Sequence, residues 1–138
     1  MSGHHIDPER GAFDAFKALS RGTPIEMLNL LRFRGLAAYP AEHPAAAEGL
    51  SGAEAYRRYQ RESGPVFAGV GGAIIWQAAP EIVLIGPADE AWDAAFIARY
   101  PSADAFLAMI ADPAYRAAVI HRQAAVETSR LIRMAPRG

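Results

Sequence analysis

The chain has 138 residues, 51% hydrophobic and 21% charged, which is enough apolar material for one buried core and too much for wholesale disorder. A formal net charge of −1, with arginines scattered rather than clustered, argues against a nucleic-acid partner. The absence of cysteine removes disulfides, thiolate nucleophiles and cysteine-based zinc sites together, and suits a reducing, cytoplasmic setting.

Met1 to Arg10 carries His4, His5, Asp7 and Glu9 where an export signal needs a basic start and an apolar run. No apolar stretch approaches the roughly 20 residues of a membrane helix, so no membrane partner is expected. The chain reads as one domain, with residues 1–23 a helical extension and residues 24–135 the core.

In chain order, Asp7-Pro8 reads as a helix start, the Asp capping free amides and the Pro filling the first helical position. Phe13, Phe16 and Leu19 recur at helical spacing up to Arg21-Gly22, which predicts a helix ahead of the core. Ile25 to Phe33 (IEMLNLLRF) is too short for a typical helix and apolar at odd and even positions alike, as a strand covered on both faces would be. Arg34 to Leu50 holds Gly35, Pro40, Pro44 and Gly49 around an alanine-rich stretch. It reads as a long loop with room for one helical turn, and its length points to a lid or a dimer-edge element.

Ser51-Gly52-Ala53-Glu54 matches the capping box, in which the Ser oxygen and the Glu carboxylate each satisfy an unpaired amide. The helix it starts carries Ala55, Tyr56 and Tyr59, kinks or breaks at Pro65 and gives out at Gly71-Gly72. Ala73 to Ala78 and Glu81 to Ile85 read as one long strand bent at Pro80. Trp92 to Tyr100 alternates as a strand that puts Asp93 and Arg99 on one face. Pro101-Ser102 and Asp112-Pro113 open two halves of a bent crossover helix running to about Glu127, and Ser129 to Met134 forms a short last strand.

With the first helix set aside, the order strand, helix, strand, strand, helix, strand is the ferredoxin-like βαββαβ plan, an α+β fold with both helices on one face of an antiparallel sheet. The strands IEMLNLLRF and EIVLI are too apolar to leave the other face in water. A second copy of the chain is the simplest cover, so a homodimer is expected.

The segments PIEMLNLL from Pro24 to Leu31, SGAEAY from Ser51 to Tyr56, Gly71-Gly72, Tyr100-Pro101-Ser102, and Asp112-Pro113-Ala114-Tyr115 followed by His121-Arg122 carry a likeness. Together they resemble domain-of-unknown-function family 1330, small bacterial proteins similar to the dimeric α/β barrel superfamily. The likeness spans Pro24 to Met134 and implies a homodimer whose two sheets form a barrel. It implies no reaction, because fold alone supplies none.

Several residues are candidates for chemistry. Asn29 sits mid-strand among apolar neighbours, where an amide must be hydrogen-bonded either to the protein or to a ligand. Arg122 shares a helical stripe with Tyr115, Val119 and Val126. It therefore either snorkels, pairs with Asp93 or Glu127, or clamps the carboxylate or enolate of a small substrate. His121, beside Ala114, Ala118 and Ala125, is a candidate general base or a surface histidine without a role. Tyr56 and Tyr59, three apart, face the sheet as core aromatics or as donors on a pocket wall.

His4, His5 and His43 lack ligand spacing, so no metal site is expected. The glycines at 69, 71 and 72 precede a strand and make no dinucleotide fingerprint. Three readings follow from these residues. One is a cofactor-free enzyme on a small carbonyl or phenolic compound, with Asn29, Asp93 and Arg122 holding oxygens and His121 moving a proton. The others are a non-catalytic binding or sensing module using the same pocket, and a homodimer whose polar residues serve pairing alone.

Overall fold

The computed structural model describes residues 4–137. Four strands, β1 (Ile25–Phe33), β2 (Ala73–Ala78), β3 (Ala94–Tyr100) and β4 (Val126–Met134), form one sheet in the order β2-β3-β1-β4. Each neighbouring pair is antiparallel, which is the strand order of the ferredoxin-like plan. The helices are α1 (Arg10–Ala18), α2 (Gly52–Gly69), α3 (Ala103–Ala111) and α4 (Pro113–Ala125). Among the described residues no helix is long and apolar enough to cross a membrane.

The sheet's two faces differ. On β1, Ile25, Met27, Asn29 and Leu31 are buried while the residues between them are half-buried, so the period-2 pattern sends the odd positions toward the helices. There Ile25 and Met27 meet Tyr100, Phe106, Met109 and Tyr115, with Tyr59, Phe67 and Phe16 packed around them. A second cluster joins Leu31 and Val126 to Ala55, Tyr56 and Ala125.

Local chemistry fixes the ends of these elements. The Ser51 side chain accepts from Glu54 N–H and the Glu54 carboxylate accepts from Ser51 N–H, the capping box read from the sequence. Gly52 is required by close approach, since a Cβ there would lie 2.2 Å from the Arg34 carbonyl. Gly71 makes the turn into β2 at φ +88, a conformation that side chains disfavour. Pro65 stays inside α2 rather than ending it.

The structure corrects four boundaries. Helix α1 starts at Arg10 with no side-chain cap, so Asp7 does not open it; Asp7 accepts instead from Gln123 at 3.1 Å. Glu81 to Ile85 forms no strand, because β2 pairs with β3 only as far as Ala78 opposite Ala95, and β3 itself begins at Ala94. Strand β3 begins two residues after the expected Trp92, and β4 begins at Val126 directly after α4 with no intervening loop. Residues 34–50 hold a short 3-10 helix, Pro44–Glu48, and lie across α2 and α4: Ala38 N–H donates to the Ala124 carbonyl and Arg58 binds Glu48.

Candidate functional site

The helix side of the sheet carries a half-open cavity of about 1110 Å³, bordered by all four strands, by α2 to α4, and by the segment from His5 to Leu19. Residues 5–7 form a strap beside β4. His5 N–H donates to Thr128 Oγ1 at 3.1 Å, and Ser129 Oγ donates to the His5 carbonyl at 2.7 Å. Helix α1 follows and turns Phe13, Phe16 and Leu19 toward the cavity, with Phe16 packed 5.3 Å from the Phe106 ring centre. An apolar stripe on a short helix docks in this way without any residue of α1 becoming fully buried.

Four of the sequence candidates, Asn29, Tyr56, Tyr59 and Arg122, line this cavity. Asn29 is 9% exposed and donates through Nδ2 to the Met27 carbonyl at 3.1 Å. Nothing among the described residues donates to its Oδ1, so the amide keeps one acceptor for the cavity. Tyr59 and Tyr115 share a hydrogen bond of 2.9 Å between their hydroxyls, whereas the Tyr56 hydroxyl has no protein partner among the described residues. Burial pushes the Tyr56 phenol far above its ordinary pKa, which keeps it a neutral donor.

Arg122 leaves α4 toward β4 and the strap. Its Nη1 donates to the Ile6 carbonyl at 2.6 Å and its Nη2 to Ser129 Oγ at 3.3 Å. Both partners are neutral, and no carboxylate among the described residues forms an ion pair with it. Neither of the two acids that sequence offered as partners pairs with it: Glu127 binds Arg32 at 3.4 Å and Asp93 accepts from Phe33 N–H. Ser129 lies opposite Leu31 and Leu131 opposite Asn29, so Arg122 meets β4 one same-face step from Asn29.

Asp93 stands apart. Its Oδ2 accepts from Phe33 N–H at 2.8 Å, where the β1–β4 register shifts between Arg32 and Phe33, and it borders a separate cleft of about 310 Å³. Its carboxylate closes the end of β1 and does not reach the large cavity.

His121 also stands apart from the cavity, on another face of α4 and 5% exposed. Its Nδ1 accepts from the Tyr39 hydroxyl at 2.6 Å and its Nε2 meets Glu62 Oε2 at 3.2 Å, an arrangement that suits the neutral ring with its proton on Nε2. The His43 ring stacks on Tyr39 at 5.0 Å and stands edge-on to His121 at 5.4 Å. Burial pulls the His121 pKa down against the opposing attraction of Glu62, and burial raises that of Tyr39. The chain of contacts Tyr39–His121–Glu62 joins the loop to α4 and α2.

Three parts of these two centres escaped sequence reasoning. Glu62 lies 59 positions before His121, and the Ile6 carbonyl that binds Arg122 lies 116 positions away, separations that no local pattern encodes. The aromatic pair Tyr39 and His43, four apart in a proline-bounded loop, was the available signal that this loop is anchored.

The chain shares 55% identity with a protein of unknown function from Rhodopseudomonas palustris, over 98% of both chains, with a TM-score of 0.89. The methylated form of that protein matches at 54% identity, over 100% of this chain and 98% of that one, with a TM-score of 0.90. More distant structures include a dimeric protein of unknown function with a ferredoxin-like fold from Bacteroides fragilis, at 15% identity over 83% of this chain and 97% of that one, with a TM-score of 0.46. A DABB family protein with a ferredoxin-like fold from Mesorhizobium loti matches at 14% identity over 83% and 98%, with a TM-score of 0.45. No curated protein matches the chain. The family model described as Domain of unknown function (DUF1330) matches residues 47–134, and with that match over most of a ferredoxin-like core the chain belongs to this family.

Proposed function

We propose that the protein binds a small, partly apolar, oxygen-bearing molecule in the cavity between the helices and the sheet. One observation carries this: the walls are largely aromatic and aliphatic, yet Asn29 Oδ1 and the Tyr56 hydroxyl have no partner among the described residues, and Arg122 has no carboxylate. Groups left in that state lower the cost of binding a ligand that supplies the missing partners. The volume lies just above the roughly 300–1,000 Å³ usual for small-molecule sites.

A binding or sensing role is favoured over catalysis at this cavity, because the residue assigned to proton transfer, His121, is engaged by Tyr39 and Glu62 and does not line the wall. Native mass spectrometry of protein purified without denaturation tests the proposal. The expected result is a bound organic molecule that leaves on collisional activation; bare protein that also takes up nothing from a metabolite extract contradicts it.

The protein also pairs with a second copy of itself in this proposal. Trp76, Ile97, Leu28 and Ile132 lie side by side across all four strands on the face away from the helices, with Trp76 49% and Ile132 46% exposed. Ile82, Leu84 and Ile85 add further apolar surface at 82%, 87% and 93% exposure. Covering such a face stabilises by roughly 25 cal/mol per Å² of apolar area removed from water. Light scattering should give the mass of a dimer, and a monomer at micromolar concentration would contradict it.

A further inference from the structure

We infer that the cavity's ligand is an amphipathic carboxylate whose head group takes Arg122 from the Ile6 carbonyl and whose hydrocarbon part lies under α1, so that the segment from His5 to Leu19 is the lid of the site. The inference rests on the cavity being the binding site and adds the chemical class and the route of entry.

The head-group assignment follows from charge. Arg122 is half-buried and bonded to a backbone carbonyl and a serine hydroxyl, both neutral. A guanidinium presents a planar fork that matches a carboxylate with two parallel bonds, and such charge-assisted bonds are about twice as strong as those to neutral acceptors. The Tyr56 hydroxyl supplies a further neutral donor on the same wall. Across the lining, Arg116, Arg122, Arg130 and Arg133 face only Asp7 and Glu9 as acids. Arg130 is neutralised by Glu90 at 2.6 Å, and Arg133 is spent on the Phe16 and Ser20 carbonyls. Arg116 is exposed, and Arg133, like Arg122, meets only neutral oxygens; of these two half-buried cations without an anion, Arg122 is the one that reaches β4 one same-face step from Asn29.

The lid follows from how the N-terminal segment is held. Its polar ties to the core sit beside the cavity, Arg122 on Ile6, Ser129 on His5, Gln123 on Asp7 and Arg133 on the end of α1, and its apolar contacts are Ile6 against the Leu31–Val126 cluster and Phe16 against Phe106. Its apolar residues Phe13, Phe16 and Leu19 line the space, and none of α1 is fully buried. An anion that competes with Ile6 for Arg122 loosens the strap at the point where a ligand enters, and a hydrocarbon tail then gives α1 a surface to close on.

Calorimetric titration with octanoate, octanol and octylamine separates the outcomes. In the wild type octanoate should bind at least roughly tenfold tighter than octanol, and octylamine weakest. Arg122→Met should abolish that preference, bringing octanoate down to the affinity of octanol in the same variant, and Arg122→Lys should restore part of it. Should Arg122→Met fail to fold, the wild-type preference and the lysine variant still decide. Equal binding of octanoate and octanol overturns the carboxylate assignment and leaves the cavity as the site, whereas no binding of any of the three overturns both. Hydrogen exchange of residues 4–18 should change with octanoate and not with acetate; no change with either removes the lid.

Discussion

His121 and Arg122 are neighbours in sequence on one helix, yet they serve opposite ends of the molecule's polar chemistry. Turned about 100° from each other by the helix, one faces the loop and α2 and the other faces the cavity and the strap. Around His121 the protein supplies everything: an acceptor for Nε2–H, a donor for Nδ1, and an aromatic ring at the imidazole edge. Around Arg122 it supplies neutral oxygens to a cation. On the proposed reading, the centre complete within the protein holds the fold and the incomplete one is where a ligand would contribute binding energy.

That contrast breaks first at His121. His121→Ala removes a buried ring and strands the Tyr39 hydroxyl, and should cost about 3 kcal/mol in urea unfolding without altering octanoate affinity. Tyr39→Phe deletes one hydrogen bond of the same chain of contacts and should cost about 1 kcal/mol, with faster proteolysis between residues 34 and 50. Arg122→Met should cost no more than about 1 kcal/mol, since its lost partners are neutral and half-buried, while it removes carboxylate binding. A costlier Arg122→Met than His121→Ala would reverse the assignment of the two centres.

The smallest effect is the pH dependence. Burial makes folded His121 a weaker base than in the unfolded chain, and the Glu62 carboxylate offsets part of that. As the pH falls below the ordinary histidine value of about 6.5, the unfolded chain takes the proton first. Stability is therefore full above that pH and declines below it. Melting temperatures at pH 8 and pH 5.5 should differ more in the wild type than in His121→Gln.

Much of the frame was legible in sequence. The capping box at Ser51, the strand Ile25–Phe33 and the caps at Ser102 and Asp112 are local signals read by local chemistry, and each stands where expected. The strand Glu81 to Ile85 failed because strand formation needs a partner, and apolar alternation says nothing about where β3 begins. Asn29, Tyr56, Tyr59 and Arg122 each stood out on its own element, as a lone amide in an apolar strand, a pair of tyrosines three apart and a cation on an apolar stripe, but that they line one space is a product of the folded chain. The separation of His121 and Asp93 from that space was not legible either, because it depends on contacts with Tyr39, Glu62 and Phe33 that only the folded chain brings together.

The most direct test of the cavity as the ligand site is a two-dimensional NMR titration of the protein with octanoate. The account predicts the largest shifts at the Asn29 side-chain amide, the Arg122 guanidinium and the amides of residues 6–16, with Tyr39 and His43 unmoved. Largest shifts in the loop between residues 34 and 50, or small shifts spread evenly over the chain, would contradict it.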